Sequence, residues 1–404
     1  MADSKRPSDA VDVVIIGGCG HVGLPLGLAL ANAGKTVVAY DTNAEKAAAT
    51  NAGRMPFIDK GADELLPRVL ADGTFRSTGD ASVIARAEVI VLVIGTPVDE
   101  HLNPRFDLIR EVIQDNRRYL RDGQLIVLRS TLYPGTTERV AGLIKEEGLD
   151  IDVAVCPERV AEGTALEEIE SLPQIVAGTS ERAQRRAEEL FRRLTPDVIP
   201  MKPLAAELAK LFTNAWRYIQ FATANQFYMI ANDYGIDFYE VHRAMTEKYP
   251  RAKGFPKAGF AAGPCLFKDT MQLSAFHSNS FFLGHSAMLI NEGLPNYLVR
   301  RLSRRYDLSK MAVGILGMTF KADSDDPRDS LSFKLRRVLQ AECRDVLCTD
   351  PYLDLPWLTP LEDTLAKADL IIIGAPHKAY RNLDFGGTPV VDVWDMTKRG
   401  GAVV

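Results

Sequence analysis

Three groups of residues have the types and spacing that do chemistry. In GPCLFKD, residues 263–269, a glycine and a proline hold open a loop, Cys265 follows, and Lys268 and Asp269 come just before a helical pattern, TMQLSAF. Two readings are open there: a thiol nucleophile, or a small buried hydrophobe before a helix whose N-cap is Asp269. In VDVVIIGGCGHVG, Gly18, Gly20 and Gly23 form G-x-G-x-x-G between a strand and a helix, and Asp41 ends the next strand. Such glycines let a backbone turn tightly against a pyrophosphate at a helix N-terminus, while the acid accepts hydrogen bonds from an adenosine ribose. Asp41 would repel a 2′-phosphate, so the spacing predicts NAD rather than NADP. The third group is Glu207, Lys210 and Asn214, which share one stripe of a helix at 204–233. That stripe is either solvated or aimed into a site, and the apolar residues around it favour the second reading.

The elements that must position these groups show as alternating patterns. Buried strands are predicted at 11–18, 35–41, 89–95, 124–130, 152–157 and 173–178, with helices between them. This alternation implies a parallel sheet covered on both faces. From about residue 203 the repeat becomes helical, through Leu204, Leu208, Leu211, Ala215, Ile219 and Ala222. After about residue 308 strands alternate with helices again, in MAVGILGM, DVLCTD, LIIIGAP and PVVDVWD.

Composition narrows the class. A chain of 404 residues is too long for one core. Its 46% hydrophobic and 25% charged residues describe an ordinary globular protein. A net charge of -5 gives no electrostatic attraction to nucleic acid or an anionic membrane. The five scattered cysteines do not form a disulfide framework and fit a reducing compartment. The polar N-terminus lacks the apolar core of a signal peptide, and no run suffices for a membrane span, so the cytoplasm is expected. The six histidines show no metal-ligand spacing, and no metal is expected.

Seven pieces in order then carry a resemblance over nearly the whole chain. They are the glycine fingerprint running into V-G-L-P (22–25), G-T-P (95–97), S-T-x-x-P-G-T-T (130–137) and C-P-E-R-V-A-E-G-T-A (156–165). E-L-A-K-x-x-x-N (207–214), G-x-C-x-x-K-D (263–269) and F-K-x-D-x-D-D-x-R-x-S (320–330) complete the set. The sequence resembles the nucleotide-sugar 6-dehydrogenases, the family of UDP-glucose, UDP-N-acetylhexosamine and GDP-mannose dehydrogenases. The resemblance implies an α/β fold of two Rossmann-like domains with parallel sheets joined by a long central helix. The boundaries expected are a flexible tail at 1–9, an NAD-binding domain at 10–202, a helical dimerisation region carrying the cysteine loop at 203–305, and a UDP-sugar domain at 306–404. A homodimer through the 204–233 helix is implied as well.

The resemblance also implies a four-electron oxidation of a sugar C6 alcohol to the carboxylate with two NAD⁺. Cys265 matches the family's nucleophile, which forms a thiohemiacetal and then a thioester. Such a thiol adduct restores a removable hydride and prevents escape of the aldehyde. A nearby helix N-terminus and Lys268 favour the thiolate. Lys210 and Asn214 match the pair that stabilises the developing oxyanion and touches substrate. Asp269 matches a carboxylate assisting general-base chemistry, and Thr131 and Glu158 match residues that hold or activate the catalytic water. Cofactor contacts carry over to Gly18, Gly20, His21, Val22, Gly23, Asp41, Thr96, Pro97, Thr131 and Arg328. Substrate contacts carry over to Glu158, Glu162, Lys210, Asn214, Gly259, Gly263 and Lys321, and to Arg251 as an arginine reaching the neighbouring subunit's sugar.

Some positions depart from the family pattern. His21 replaces tyrosine, Ala262 and Pro264 lie in a stretch usually richer in glycine, and Phe267 replaces proline. Trp394 stands where UDP-glucose enzymes carry arginine. UDP-glucose ranks slightly first as substrate, ahead of UDP-N-acetylglucosamine, UDP-N-acetylmannosamine and dTDP-glucose. A two-electron hydroxy-acid dehydrogenase would need neither Cys265 nor a second α/β domain. A non-catalytic NAD- or nucleotide-sugar-binding protein would be favoured by loss of a key residue, yet Cys265, Lys210, Asn214 and Asp269 are all present.

Overall fold

The structure, a computed structural model, describes residues 11–96, 105, 107–261 and 263–398. The expected tail at 1–9, together with Pro97 and Ala262, lies outside the described residues. The chain divides into two compact units, Met1–Phe212 and Thr213–Val404.

In the first unit, strands β1 (Val11–Ile16), β2 (Val37–Tyr40), β3 (Phe75–Thr78), β4 (Ala87–Leu92), β5 (Leu125–Leu128), β6 (Asp152–Val155), β7 (Gln174–Gly178) and β8 (Val198–Pro200) form one sheet. Their order is β3-β2-β1-β4-β5-β6-β7-β8. Alternate residues of β1 face opposite layers, Val13 and Ile15 into one core cluster and Val14 and Ile16 into the other, so both faces are buried. The order reverses between β1 and β4, which opens a crevice at the carboxyl ends of those strands.

Two features differ from the pattern-based expectation. β6 and β7 pair antiparallel, so the sheet is not uniformly parallel. Strands β3 and β8, unread in the sequence, occupy the two edges. An edge strand such as Phe75–Thr78, FRST, alternates buried and open residues and therefore shows no apolar run.

The second unit takes up the long helix Pro203–Asp233 from Thr213 onward, followed by helices Phe238–Thr246, Leu266–Phe276 and Phe282–Ser303. Its strands β9 (Ala312–Leu316), β10 (Asp345–Thr349), β11 (Leu370–Ile373) and β12 (Val390–Val391) form a parallel sheet in the order β10-β9-β11-β12. Tyr228, Phe238, Leu294 and Leu298 from the helices share one core with Val313, Ile315, Leu370 and Ile372 from the strands. Part of the helical stretch read as a region of its own at 203–305 thus shares a core with this sheet, while Tyr218, Ala222, Leu266 and Ala287 pack in a separate cluster. No helix among the described residues is long and apolar enough to cross a membrane.

Candidate active site

At the end of β1 the backbone turns on Gly17, whose φ of 78° favours glycine. A Cβ on Gly23 would stand 2.5 Å from the Gly17 carbonyl oxygen, so the helix Gly23–Asn32 starts flush against the turn. Gly20 differs: a Cβ there would meet only one atom, at 3.5 Å, leaving room for a ligand above the turn. The helix begins at Val22 without a side-chain cap and with no acid in its first turn, so the positive end of its dipole is not neutralised by the chain, although the Leu24 N–H bonds the Gly20 carbonyl (3.0 Å) and Pro25 has none. Asp41, half-buried at the end of β2, accepts hydrogen bonds from the N–H groups of Cys19 (3.0 Å) and Asn43 (2.9 Å). The His21 ring lies over Phe57, with centroids 4.1 Å apart. A dinucleotide fits this arrangement: free space above Gly20 at a helix N-terminus for its pyrophosphate, and a fixed carboxylate one strand away for its ribose.

Thr96 and Thr131 follow β4 and β5, and the Thr96 hydroxyl donates to the Thr131 carbonyl at 2.7 Å. Beside them lies a buried charged cluster. Arg129 is fully buried and pairs with Glu158. Its Nη1 donates to the Cys156 carbonyl (3.0 Å) and to Gln174 Oε1 (2.9 Å). Glu158 Oε1 accepts from the N–H groups of Arg159 (2.6 Å) and Val160 (2.9 Å). Burial pushes the Glu158 carboxyl up. The Arg129 charge, these two N–H groups and the Lys210 charge outweigh that and hold it below the ordinary range. Glu162 is half-buried on the same turn. Sequence reasoning missed Arg129; its only trace is a charged residue ending the apolar run QLIVL.

On the long helix, Glu207, Lys210 and Asn214 are all buried, at 1%, 8% and 4% exposure, which excludes a solvated stripe. Glu207 accepts from Gly135 N (2.6 Å), Thr137 N (2.8 Å) and Thr137 Oγ1 (2.6 Å). It therefore closes the N-terminus of helix Thr136–Glu146 and sets the register of the face that carries Lys210.

In the second unit, Cys265 is exposed, carries no disulfide and occupies the N-cap position of helix Leu266–Phe276 without a side-chain cap bond. Asp269 is not that helix's N-cap. The helix starts earlier, the Asp269 N–H bonds back to the Cys265 carbonyl (2.9 Å), and its carboxylate is fully buried in the first turn. There it accepts from Asn214 Nδ2 at 2.6 Å and pairs with Lys268 Nζ at 2.8 Å. Asn214, Asp269 and Lys268 thus form one bonded group within one helical turn of the thiol.

The loop before Cys265 is fixed by contacts that leave no space for side chains. Gly263 has φ +103°, and a Cβ there would stand 2.6 Å from the Phe320 ring. At Gly259 a Cβ would collide with Trp394 at 2.2 Å, and the Gly259 N–H and C=O both bond the buried Asn225 side chain. A cleft of about 620 Å³ borders this loop, lined by Gly263, Phe267, Arg328, Ser330 and Lys334 among others. Arg328 presents a half-exposed guanidinium there, forked onto the buried Asp326. Lys321 lies half-buried on the preceding turn. Arg251 lies exposed in the turn Pro250–Ala252, its guanidinium over the Tyr249 ring.

His377 is wholly buried at the carboxyl end of the second sheet. Its Nδ1 accepts from the Asp323 N–H (2.9 Å), so in the neutral ring Nε2 carries the proton and faces Asp350 Oδ2 at 3.1 Å. It braces the loop that carries Lys321. Among the described residues, no group of three or more His, Cys, Asp or Glu side chains is placed to hold a metal.

Comparison with known proteins agrees across the chain. The NAD binding, central and UDP binding domains of the UDP-glucose/GDP-mannose dehydrogenase family match residues 11–195, 204–292 and 314–399 in that order. A UDP-N-acetyl-D-mannosamine dehydrogenase of Pyrococcus horikoshii is 29% identical over 379 residues, covering 91% of this chain and 90% of that protein. The solved structure of a UDP-glucose dehydrogenase from Pyrobaculum islandicum superposes with a TM-score of 0.89 at 27% identity, covering 98% of this chain and 97% of that one. That of an NDP-N-acetyl-D-galactosaminuronic acid dehydrogenase from Methanosarcina mazei Go1 is 30% identical with a TM-score of 0.74, covering 93% and 87%.

Proposed function

The chain belongs to the UDP-glucose/GDP-mannose dehydrogenase family and is an NAD-dependent nucleotide-sugar dehydrogenase, and we propose that it oxidises the C6 alcohol of a UDP-N-acetylhexosamine to the carboxylate. The observation that carries the chemistry is the exposed Cys265 beside the buried Asn214–Asp269 pair and the half-buried Lys268 joined to it. The sugar is revised from the UDP-glucose expected above. Support comes from the UDP-N-acetyl-D-mannosamine dehydrogenases that this chain resembles over 91% of its length. UDP-glucose remains the second reading, supported by the likeness to the Pyrobaculum islandicum enzyme.

The glycine turn and Asp41 would hold NAD⁺, which would supply the hydride acceptor, one molecule for each of the two oxidations. The residues of the chain do the rest. Cys265 Sγ adds to C6 of the aldehyde formed first, giving a thiohemiacetal whose remaining C6 hydrogen leaves as hydride. Water then displaces the sulfur from the resulting thioester, yielding the carboxylate and the thiol. Lys210 and Asn214, one turn apart on a continuous helix, offer a cation and an amide to the oxygen that becomes anionic in these steps. Asp269 holds Asn214 in place, and Thr131 and Glu158 orient the water.

The test is NADH formed per sugar consumed, run to completion on UDP-N-acetylmannosamine, UDP-N-acetylglucosamine, UDP-glucose, dTDP-glucose and GDP-mannose. Two NADH per UDP-N-acetylhexosamine is the expected result. One NADH per sugar would remove the thioester, and two on UDP-glucose alone would restore the second reading.

A homodimer is part of the same proposal. Phe212, Trp216, Phe227 and Ile230 are exposed, and steps of four, eleven and three residues return to one side of the long helix. In solution the scattering mass should be twice the 44.5 kDa of the chain. Trp216→Glu should move it toward the single-chain value. A monomer in the unsubstituted protein would dismiss the interface.

A further inference from the structure

We propose that Arg129 is a positioning residue: its guanidinium fixes the Glu158 carboxylate as a standing anion that orients water, rather than as a group that takes a proton from it. The inference rests on the proposed thioester hydrolysis and adds a residue to it. Arg129 follows β5, and no part of its side chain reaches solvent. Nη2 pairs with Glu158 Oε2, while Nη1 bonds the Cys156 carbonyl and Gln174. The planar group lies 4.9 Å over the Phe191 ring. The Glu158 N–H returns a bond to the Arg129 carbonyl at 3.2 Å. One side chain therefore ties the ends of β5 and β6 to β7 and sets the direction of the acid.

Both Glu158 oxygens are engaged by Arg129 and by the backbone of Arg159 and Val160. To accept a proton, the carboxylate would have to give up its place against the guanidinium, at the cost of an unpaired buried arginine. It can still accept a hydrogen bond from water through a remaining lone pair, because ionised carboxylates offer about four acceptor sites. The charged groups that act on it are Arg129 and, by charge, Lys210; Arg159 adds a third cation on the same turn. Cys156 beside Arg129 stays a neutral thiol, because burial pushes it up to about 12.

A pair that served packing alone would tolerate an apolar substitute and leave the pH behaviour of the enzyme unchanged. The variants are Arg129→Met and Arg129→Lys in the full chain, with Glu158→Gln as reference. The first readout needs no substrate: the infrared carboxyl bands of each protein, minus those of Glu158→Gln, across pH 3–8. In the unsubstituted protein the Glu158 band should stay that of a carboxylate well into acid. Without the guanidinium, burial is opposed only by the two N–H groups and the Lys210 charge, so in Arg129→Met the protonated band should appear at a clearly higher pH. Arg129→Lys keeps the charge but loses the fork, and its midpoint should fall between the two.

The second readout is the pH profile of NADH formation. Arg129→Met should gain an acid limb, dropping about tenfold or more from its plateau by pH 6, with Arg129→Lys again between. If Arg129→Met does not fold, Arg129→Lys alone decides by the same two measures. Unmoved carboxyl bands, or a loss equal at every pH, would overturn the proposal and leave Arg129 as packing. If the bands move as expected but no nucleotide sugar is oxidised, the positioning of Glu158 stands and the proposed function falls.

Discussion

Replacing Cys265 by alanine is expected to abolish net formation of the carboxylate, lowering kcat by at least roughly a thousandfold, while leaving Tm nearly unchanged. The side chain is exposed, so little packing is lost. The chemical loss is large because without sulfur the C6 aldehyde has no covalent partner that restores a removable hydride. No other thiol can substitute. Cys19, Cys156 and Cys348 are buried, and burial pushes their thiols up to about 11, 12 and 11; Cys343, half-buried, is pushed up to about 11 as well. Cys265 alone is exposed, at the N-cap position of a helix with no side-chain cap bond. NADH stoichiometry and intact-mass detection of a covalent sugar adduct check this together. The unsubstituted enzyme, quenched in turnover, should carry an adduct on Cys265 that the alanine variant lacks. Undiminished kcat in the variant would remove the covalent mechanism outright.

The second large effect falls on Asp269. Asp269→Ala should cost about 3–5 kcal/mol of stability, because it leaves Lys268 and Asn214 facing a buried gap where a carboxylate bonded both. That corresponds to a fall in Tm of roughly 6–20 °C. Asp269→Asn keeps the shape and one acceptor oxygen, so it should retain more of the stability while losing the charge. Its kcat should still fall by about two orders of magnitude if the carboxylate works on the reaction. Calorimetry beside steady-state kinetics separates the two roles. An asparagine variant as active as the unsubstituted enzyme would confine Asp269 to holding Asn214 and Lys268.

How far these sites were legible depended on how local their geometry is. The glycine turn and Asp41 were readable because a strand, a tight turn and a helix N-terminus specify their own conformation within some thirty residues. The exact start of helix Leu266–Phe276 was not readable. Glycine and proline mark its beginning only to within a turn, and one turn separates an exposed N-cap from the buried acid that Asp269 is. The direction of β7 was equally hidden, since an apolar run reads the same whether its neighbour runs parallel or antiparallel.

The sequence by itself determined the central strands, the dinucleotide turn and which cysteine stands at a helix start, because periodicity, glycine placement and residue type are properties of short segments. Only the tertiary structure decided what the buried charges do. Glu207 looked like a partner of Lys210 and Asn214, yet its carboxylate is spent on Gly135 and Thr137, some seventy residues away. Arg129 looked like the end of a strand, yet its partners stand 27 to 45 residues along the chain. Asn225 gave no signal at all, and it clamps Gly259 of the loop before Cys265. A buried polar group must be bonded wherever the fold closes over it, and which atoms close over it is a fact of packing between distant segments.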